Sequence, residues 1–263
     1  MSGVNGGYPA DWKGLWAIKL RNVGRSLVDL VLPPASLDGQ AGSSGMGLSA
    51  AAFGRITFLE DPVCDGCGLP FEYELEAGQR CIICTERPHV FARARAACLY
   101  DEHSRGLILG LKHGDEQSHA ILFARWISRS ADPLLRDCEV IVPVPLHPLR
   151  LLRRRFNQCA EIARPLARQR DLVYLPDALK RTRATATQGG RSLRGRRLNV
   201  KGAFKVSPRQ ALKIRGKRVL LLDDVLTTGA TADACARALL DAGASAVDLA
   251  VVAGVHGARE VTR

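Results

Sequence analysis

The chain has 263 residues, of which 46% are hydrophobic and 24% charged, a balance typical of soluble globular proteins and too apolar for a disordered chain. It contains no run of about 18 uninterrupted apolar residues, so we expect no insertion into a membrane. The first 20 residues lack a long apolar stretch, so we expect no secretory signal. These exclusions predict a cytoplasmic protein, in which the eight cysteines are thiols or metal ligands and not disulfides.

Positive charge is concentrated in one part of the chain. Lys and Arg number 38 against 26 Asp and Glu. The stretch from Arg150 to Lys201 contains 15 basic and three acidic residues, and this difference equals the formal net charge of the whole chain, +12. Such concentrated arginine suits a polyanion, for example a nucleic acid or a pyrophosphate. The alternative is a basic face that is only solvated.

In chain order, the first predicted element is a mildly helical stretch over residues 16–30, which ends before Pro33-Pro34. A Gly/Ser/Ala-rich segment from Ala41 to Ala52 has too few large side chains for a core, so we predict a loop there. We divide the chain into residues 1–60, a cysteine-rich module over 61–97, and a domain over 98–263.

The third part predicts an α/β fold. Three apolar runs are typical of buried strands: Glu139 to Val144, Lys217 to Leu222, and Ala246 to Ala253. Apolar residues recur at helical spacing from Leu149 to Leu166, and Ala230 to Leu240 is an Ala-rich helix. Strands and helices that alternate at these lengths favour a parallel sheet flanked by helices.

The module over 61–97 contains two Cys-x₂-Cys pairs, 13 residues apart: Cys64 with Cys67, and Cys81 with Cys84. Each pair can aim two thiolates at one ion, and two pairs complete a tetrahedral site. We therefore predict a small N-terminal zinc ribbon with one structural Zn²⁺. The alternative is a set of reduced thiols without a metal. We predict that the other cysteines are core residues: Cys98, Cys138, Cys159 and Cys235.

The most informative stretch is a strand that ends in two carboxylates, Asp223 and Asp224, and continues into a turn of small residues. The turn consists of Thr227, Thr228, Gly229, Ala230 and Thr231. In open α/β sheets, ligands bind at the carboxyl ends of the strands. Small residues at a helix N-terminus suit a phosphate, and carboxylates suit sugar hydroxyls or Mg²⁺. The stretch predicts a ribose 5′-phosphate site; the alternative is a surface turn with a threonine cap.

This stretch closely resembles the binding motif of type I phosphoribosyltransferases, which hold phosphoribosyl pyrophosphate (PRPP) with Mg²⁺. The resemblance implies that Asp223 and Asp224 contact the ribose hydroxyls and the Mg²⁺ site. It also implies that the turn from Thr227 to Thr231 wraps the 5′-phosphate. The expected fold is therefore type I phosphoribosyltransferase-like.

A second loop follows the first of the three predicted strands. It reads Pro143-Val144-Pro145-Leu146, and an arginine-rich helix with Phe156-Asn157-Gln158 comes next. Prolines fix the shape of a loop, and guanidinium groups match phosphate oxygens; the alternative is an exposed Arg-rich helix face. The combination resembles the ComF family of phosphoribosyltransferase-like competence proteins, with Arg155 in place of that family's usual glycine. The resemblance implies a pyrophosphate loop at Pro143, Val144, Pro145 and Leu146.

Residues 183–204 also resemble the ComF pattern. The resemblance implies a mobile loop that closes over PRPP, with Arg183, Gln188 and Arg197 as anion contacts. We assign no catalytic residue, and we predict no catalytic role for the histidines at 113, 119 and 147.

ComF-like chains often carry a second set of zinc cysteines just after a Pro-Pro. This chain has no cysteine before Cys64, so we expect that second site to be lost. We also expect residues 35–55 to be poorly ordered as a result.

The resemblance implies a protein that binds PRPP and single-stranded DNA and acts in DNA uptake during natural transformation, beside a competence helicase. Three functions stay open. In the first, the protein is an enzyme that transfers phosphoribose to an unknown acceptor. In the second, it is an accessory factor that binds nucleic acid. In the third, it is an interaction module stabilised by a metal, and its pocket has no function. The acidic pair Asp223-Asp224 and the turn that follows it argue against an idle pocket.

Overall fold

The computed structural model describes residues 47–71, 78–113, 116–146, 156–182 and 202–255. The chain divides into two compact units, Met1–Ala50 and Ala51–Arg263, and the fold described below is that of the second.

The helix predicted over 16–30 lies outside the described residues. The loop predicted for Ala41 to Ala52 is wrong at its end, because Ala50–Phe53 forms a helical turn, α1; alanine has the highest helix propensity. Residues 47–55, where we expected poor order, contain this turn.

The elements follow one another along the chain with helices between most strands. The helices of the described residues are α2 (Ile82–Glu86), α3 (Glu102–His113), α4 (Glu116–Ser130), α5 (Asp132–Asp137), α6 (Gln158–Arg170), α7 (Pro208–Ile214) and α8 (Ala230–Asp241). The strands are β1 (Ala94–Leu99), β2 (Val140–Pro143), β3 (Val173–Tyr174), β4 (Leu179–Arg181), β5 (Phe204–Val206), β6 (Arg218–Leu226) and β7 (Ala246–Gly254).

Five strands form one sheet in the order β1-β7-β6-β2-β3, and each neighbouring pair is parallel. Strands β4 and β5 form a separate antiparallel pair. Parallel neighbours need crossover connections, which helices supply here. The predicted parallel sheet flanked by helices is therefore confirmed, and its three predicted strands are β2, β6 and β7.

Strand β6 is longer than predicted. Its apolar run was expected to end at Leu222, but pairing with β7 continues beyond it, with Asp223 opposite Val251 and Val225 opposite Ala253. The two carboxylates therefore belong to the last part of the strand, at the carboxyl end where the sequence predicted them, and the strand continues beyond them to Leu226. The backbone ladder fixes their positions.

Helix α6 begins later than the predicted helix, at Gln158, and residues 147–155 lie outside the described part of the chain. The start of α6 is capped by Asn157, whose side-chain oxygen accepts a hydrogen bond from Cys159 N at 3.1 Å. The Asn157 amide also donates to the carbonyl of Val144, at 3.0 Å. One side chain thus caps the helix and fixes the loop after β2 against it.

The cysteine module and the sheet belong to the same compact unit. Leu59, Val63 and Phe91 are buried in one hydrophobic cluster with residues of the central strands, and Ala94 N of β1 donates to the carbonyl of Asp65 at 3.0 Å. The domain boundary predicted after residue 97 falls inside β1. The four cysteines predicted to be core residues are buried. Within the described ranges, no helix is long and apolar enough to cross a membrane.

A fully buried carboxylate, that of Asp248, ties the amino ends of the strands together. Arg93, just before β1, donates to it at 2.7 Å, and Arg218, at the start of β6, donates at 2.7 Å. Burial by itself raises the pKa of Asp248, but the hydrogen bonds from Arg218 and Arg93 outweigh it and hold that pKa below its usual value. The ionised form is therefore the one that the fold stabilises.

Replacing Asp248 with Ala should lower the free energy of unfolding by about 3–5 kcal/mol, because it leaves two arginines without their buried partner. Urea denaturation measures this loss. A depressed pKa contributes stability above the ordinary value of about 3.9 and loses it as the pH falls. The difference between wild type and variant should therefore be constant from about pH 5 to pH 8 and shrink below about pH 4.

The matched control is Asp137→Ala, which removes the second partner of Arg93, at 2.7 Å and with its side chain 50% exposed. Exposed pairs contribute about 1 kcal/mol or less, so this variant should be nearly as stable as wild type. Equal, small losses in both variants would contradict the role assigned to Asp248.

Candidate functional site

The acidic pair lies at the carboxyl edge of the sheet, where each carboxylate has local partners. Asp223 Oδ1 accepts a hydrogen bond from Asp224 N at 2.9 Å and from the Cys159 thiol at 3.5 Å. Asp224 accepts from Val225 N at 2.8 Å and from the Gln158 amide at 3.1 Å. Both partners from α6 reach the pair because β2, which precedes α6, is the direct neighbour of β6.

The electrostatics of the pair favour a compensating ligand. Burial, followed by the charge of Asp224, raises the pKa of Asp223 to about 7. Hydrogen bonds from Asp224 N and Cys159 lower that pKa without offsetting the increase. A cation or a set of hydroxyl donors next to the pair would stabilise its ionised form. Perturbed carboxylates of this kind cluster at functional sites.

The turn after β6 presents the start of α8. Gly229 has a φ of +76°, in the left-handed region that glycine adopts without steric cost, and it is the N-cap of α8. The first N–H groups of a helix have no partner inside the helix and carry positive partial charge. Together with the threonine hydroxyls, they make the turn a suitable site for an anion.

A cavity of about 380 Å³ joins these features. It is lined by most of the predicted site residues: Val144, Pro145, Leu146, Asp223, Asp224, Thr227, Thr228, Gly229, Ala230 and Thr231. Pro143 is the last residue of β2 and is not among the lining residues. The predicted loop contacts Arg183, Gln188 and Arg197 lie outside the described residues.

Nine cavity residues were not predicted as site residues. Five of them are apolar, and the other four carry side chains with a hydroxyl, amide, thiol or guanidinium group: Tyr100, Gln158, Cys159 and Arg181. Gln158 stands in the Phe156-Asn157-Gln158 motif, which was the signal for it. Arg181, at the end of β4, lies with its guanidinium carbon 5.5 Å from the centre of the Phe204 ring on β5. It brings a positive charge to the cavity, and its position depends on the β4–β5 pairing, which sequence did not predict.

The four predicted ligand cysteines form a compact cluster, and none of them is among the residues that line this cavity. The Sγ atoms of Cys64, Cys67, Cys81 and Cys84 all lie within 4.8 Å of one another. In a tetrahedral zinc site with Zn–S distances of about 2.3 Å, sulfurs lie about 3.8 Å apart, so the cluster fits such an ion. The second pair is fixed to the first by a hydrogen bond from Cys81 N to Cys64 Sγ, at 3.2 Å. The arrangement fits the predicted zinc ribbon.

The thiols of the cluster shift one another's pKa values through hydrogen bonds. Hydrogen bonds from Cys67 and Cys84 lower the pKa of Cys64. The hydrogen bond with Cys64 is the main cause that raises the pKa of Cys67 and that of Cys84, the latter to about 12. Four thiolates at this spacing need a cation to be ionised together. The donor set therefore suits a thiophilic metal ion.

Comparisons with known proteins agree with this geometry. The family model of the phosphoribosyl transferase domain matches residues 157–263. The chain is 34% identical over 201 residues to DNA utilization protein YhgH of Escherichia coli K12, covering 74% of this chain and 85% of that protein. It is 29% identical over 216 residues to competence protein F of Haemophilus influenzae, covering 74% and 92%, respectively.

Among solved structures, the chain is similar to the glutamine PRPP amidotransferase from B. subtilis complexed with ADP and GMP. It is 20% identical, with a TM-score of 0.34, over 50% of this chain and 25% of that one.

The parallel sheet, the acidic strand end and the small-residue turn define a phosphoribosyltransferase-type domain. The chain belongs to the family of YhgH and competence protein F, the ComF family. The resemblance noted in the sequence is thereby confirmed.

Proposed function

We propose that this protein binds PRPP, or a related ribose phosphate, with Mg²⁺ in the cavity at the carboxyl edge of the sheet. The observation that supports this most directly is the lining itself. The acidic pair Asp223-Asp224, the turn from Thr227 to Thr231 and the loop residues 144–146 all line one cavity of about 380 Å³. That volume is within the range of small-molecule sites.

Each part of the lining matches one part of the ligand. Asp223 and Asp224 accept hydrogen bonds from the ribose 2′- and 3′-hydroxyls, and the N–H groups and hydroxyls of the turn donate to the 5′-phosphate. Val144, Pro145 and Leu146 lie on the pyrophosphate side, and Arg181 supplies a positive charge to the cavity. Mg²⁺ would neutralise pyrophosphate oxygens and offset the charge of the acidic pair.

Asp224→Ala should weaken PRPP binding at least tenfold, since a hydrogen bond to a charged group contributes about 1.5–3 kcal/mol. The double variant Asp223→Ala/Asp224→Ala should bind more weakly still, and wild type should need Mg²⁺ for full affinity. Isothermal titration calorimetry with PRPP, with and without Mg²⁺, measures all three.

Asp177→Ala is the matched control, because Asp177 is an exposed aspartate that does not line the cavity. Its affinity should equal that of wild type. A folded double variant that binds PRPP as tightly as wild type would contradict the assignment of the acidic pair.

An enzymatic role is the second candidate, and the match to the phosphoribosyl transferase domain favours it. In that case the protein transfers phosphoribose from PRPP to an acceptor in nucleotide metabolism or salvage and releases pyrophosphate. A pyrophosphate-release assay with PRPP, Mg²⁺ and a panel of nucleobases separates the two. Binding without release supports an accessory factor, and acceptor-dependent release supports the enzyme.

We also propose that the four-cysteine cluster holds one structural Zn²⁺, since its four sulfurs lie within 4.8 Å of one another. Elemental analysis of protein purified without chelator should find one zinc per chain. Cys81→Ser should lose the metal and lower the stability of the unit, because metal binding contributes folding free energy.

The control for this variant is Cys98→Ala, which removes a buried thiol outside the cluster and should keep its zinc. Finding two zinc ions or none in the wild type would contradict the proposal, as would a Cys81→Ser variant that keeps full metal content.

DNA handling is the biological role that we propose for the binding sites together. The relatives are named for DNA utilization and for competence, and the stretch from Arg150 to Lys201 has the charge excess that a polyanion requires. Among the described residues of that stretch, Arg164 and Arg168 are exposed one helical turn apart on α6. The protein would bind single-stranded DNA through phosphates and act in DNA uptake and natural transformation, beside a competence helicase.

Replacing Arg194, Arg196 and Arg197 with Ala should weaken binding of all single-stranded sequences alike. The plot of log affinity against log salt should become shallower by up to about two units, because each neutralised phosphate contributes a slope of about −0.7 on single strands. Fluorescence anisotropy over a salt series measures this slope.

The matched control replaces Arg125, Arg209 and Arg237, which are exposed and lie outside the stretch, with Ala. It removes the same total charge, so an equal change in slope would mean that net charge alone binds DNA. If the first variant loses PRPP affinity but keeps the DNA slope of wild type, its arginines serve only to close over PRPP. DNA affinity that is insensitive to salt would defeat the proposal.

A further inference from the structure

His89 is a residue of the cysteine module that reaches the turn from Thr227 to Thr231, which we call the phosphate-binding turn after the function proposed for it. It follows Cys84 by five positions, just beyond the end of α2, and its side chain is only 2% exposed. Its Nδ1 atom lies 3.1 Å from both carboxylate oxygens of Asp233. Sequence reading assigned His89 no role.

Asp233 lies in the first turn of α8, directly behind the turn that lines the cavity. Its backbone N–H donates to the carbonyl of Gly229 at 2.8 Å, and its carboxylate accepts from Val90 N at 2.8 Å. A carboxylate in the first turn also interacts favourably with the helix dipole. Asp233 is therefore bound on one side to the turn and on the other to the segment that carries His89.

The His89 ring also lies against the α-carbon of Gly229. A methyl group placed on Gly229 would lie 2.2 Å from Cε1 of His89, far inside van der Waals contact. The ring in turn stacks on Phe91, with the centroids 4.2 Å apart and the planes at 17°, and Phe91 is a buried core residue. The imidazole therefore connects the core to the turn without a gap.

We propose that His89 is a positioning residue for the phosphate-binding turn. Through Asp233 and Gly229 it holds the start of α8 in the conformation in which its N–H groups face the anion. His89 is not among the residues that line the cavity, so it acts through the turn and not on the ligand. The inference rests on the proposed function, because the anion in question is the 5′-phosphate of the proposed ligand.

Three variants of the full, zinc-loaded chain test this role: His89→Ala, His89→Asn and His89→Gln. The Asn amide nitrogen lies near the position of Nδ1 and can keep the hydrogen bond to Asp233, whereas the Gln amide reaches farther and cannot. PRPP·Mg²⁺ affinity is measured by calorimetry. The amide resonances of Thr228 and Gly229 are recorded by NMR in the ligand-free protein.

His89→Ala and His89→Gln should each weaken PRPP·Mg²⁺ binding about tenfold or more and shift both amide resonances. His89→Asn should keep affinity within about threefold of wild type, a rescue that loss of packing alone would not produce. His103→Ala is the control, because the His103 side chain is 42% exposed and pairs with the exposed Glu102, and His103 does not line the cavity. It should change neither measurement.

Folded His89→Ala and His89→Gln variants that bind PRPP·Mg²⁺ within twofold of wild type would overturn the proposal. If His89→Ala does not fold, the comparison of His89→Gln with His89→Asn decides. If wild type binds no PRPP, the proposed function fails, and the ligand-free spectra decide the positioning role by themselves. Unshifted Thr228 and Gly229 amides would then overturn it.

Discussion

The buried carboxylate of Asp248 is the interaction on which the arrangement of the sheet depends. It joins Arg93 before β1 and Arg218 at the start of β6 to the first part of β7, with a hydrogen bond of 2.7 Å from each arginine. These residues lie at the amino ends of parallel strands. Because parallel strands advance together, a fixed register at one edge also fixes which residues emerge at the other. The cavity at the carboxyl edge is a consequence of that register.

At the carboxyl edge, the same register places opposing charges and donors around one space. Asp223 and Asp224 emerge from the central strand, the turn into α8 supplies N–H donors, and Arg181 adds a positive charge from the β4–β5 pair. Burial and the neighbouring charge of Asp224 raise the pKa of Asp223 to about 7, so the two carboxylates resist being ionised together. A ligand with hydroxyls, a phosphate and a cation satisfies all of these groups at once, which is why the site suits a ribose phosphate.

The cysteine module is part of this construction and not an appendage. Its residues Val63 and Phe91 are buried in the main hydrophobic cluster. Gly68 approaches β1 so closely that a methyl group on it would lie 2.8 Å from the carbonyl oxygen of Ala94. His89, which belongs to the module, lies against Gly229 in the turn from Thr227 to Thr231. A metal ion on the cysteines would therefore stabilise the segment that supports the ligand site.

Sequence alone was enough to predict the parallel sheet, the acidic pair with its turn, and the two Cys-x₂-Cys pairs. Each of these features depends on residues that lie only a few positions apart along the chain. Hydrophobic runs, glycine at a left-handed position and paired thiols have local causes. The strand order β1-β7-β6-β2-β3 has no such local signal. Two contacts depend on this strand order, and only the tertiary structure determined them. Gln158 meets Asp224 across 66 positions of sequence, and Arg93 meets Asp248 across 155. Such side chains meet only when distant strands pair, and no spacing along the chain encodes which strands do.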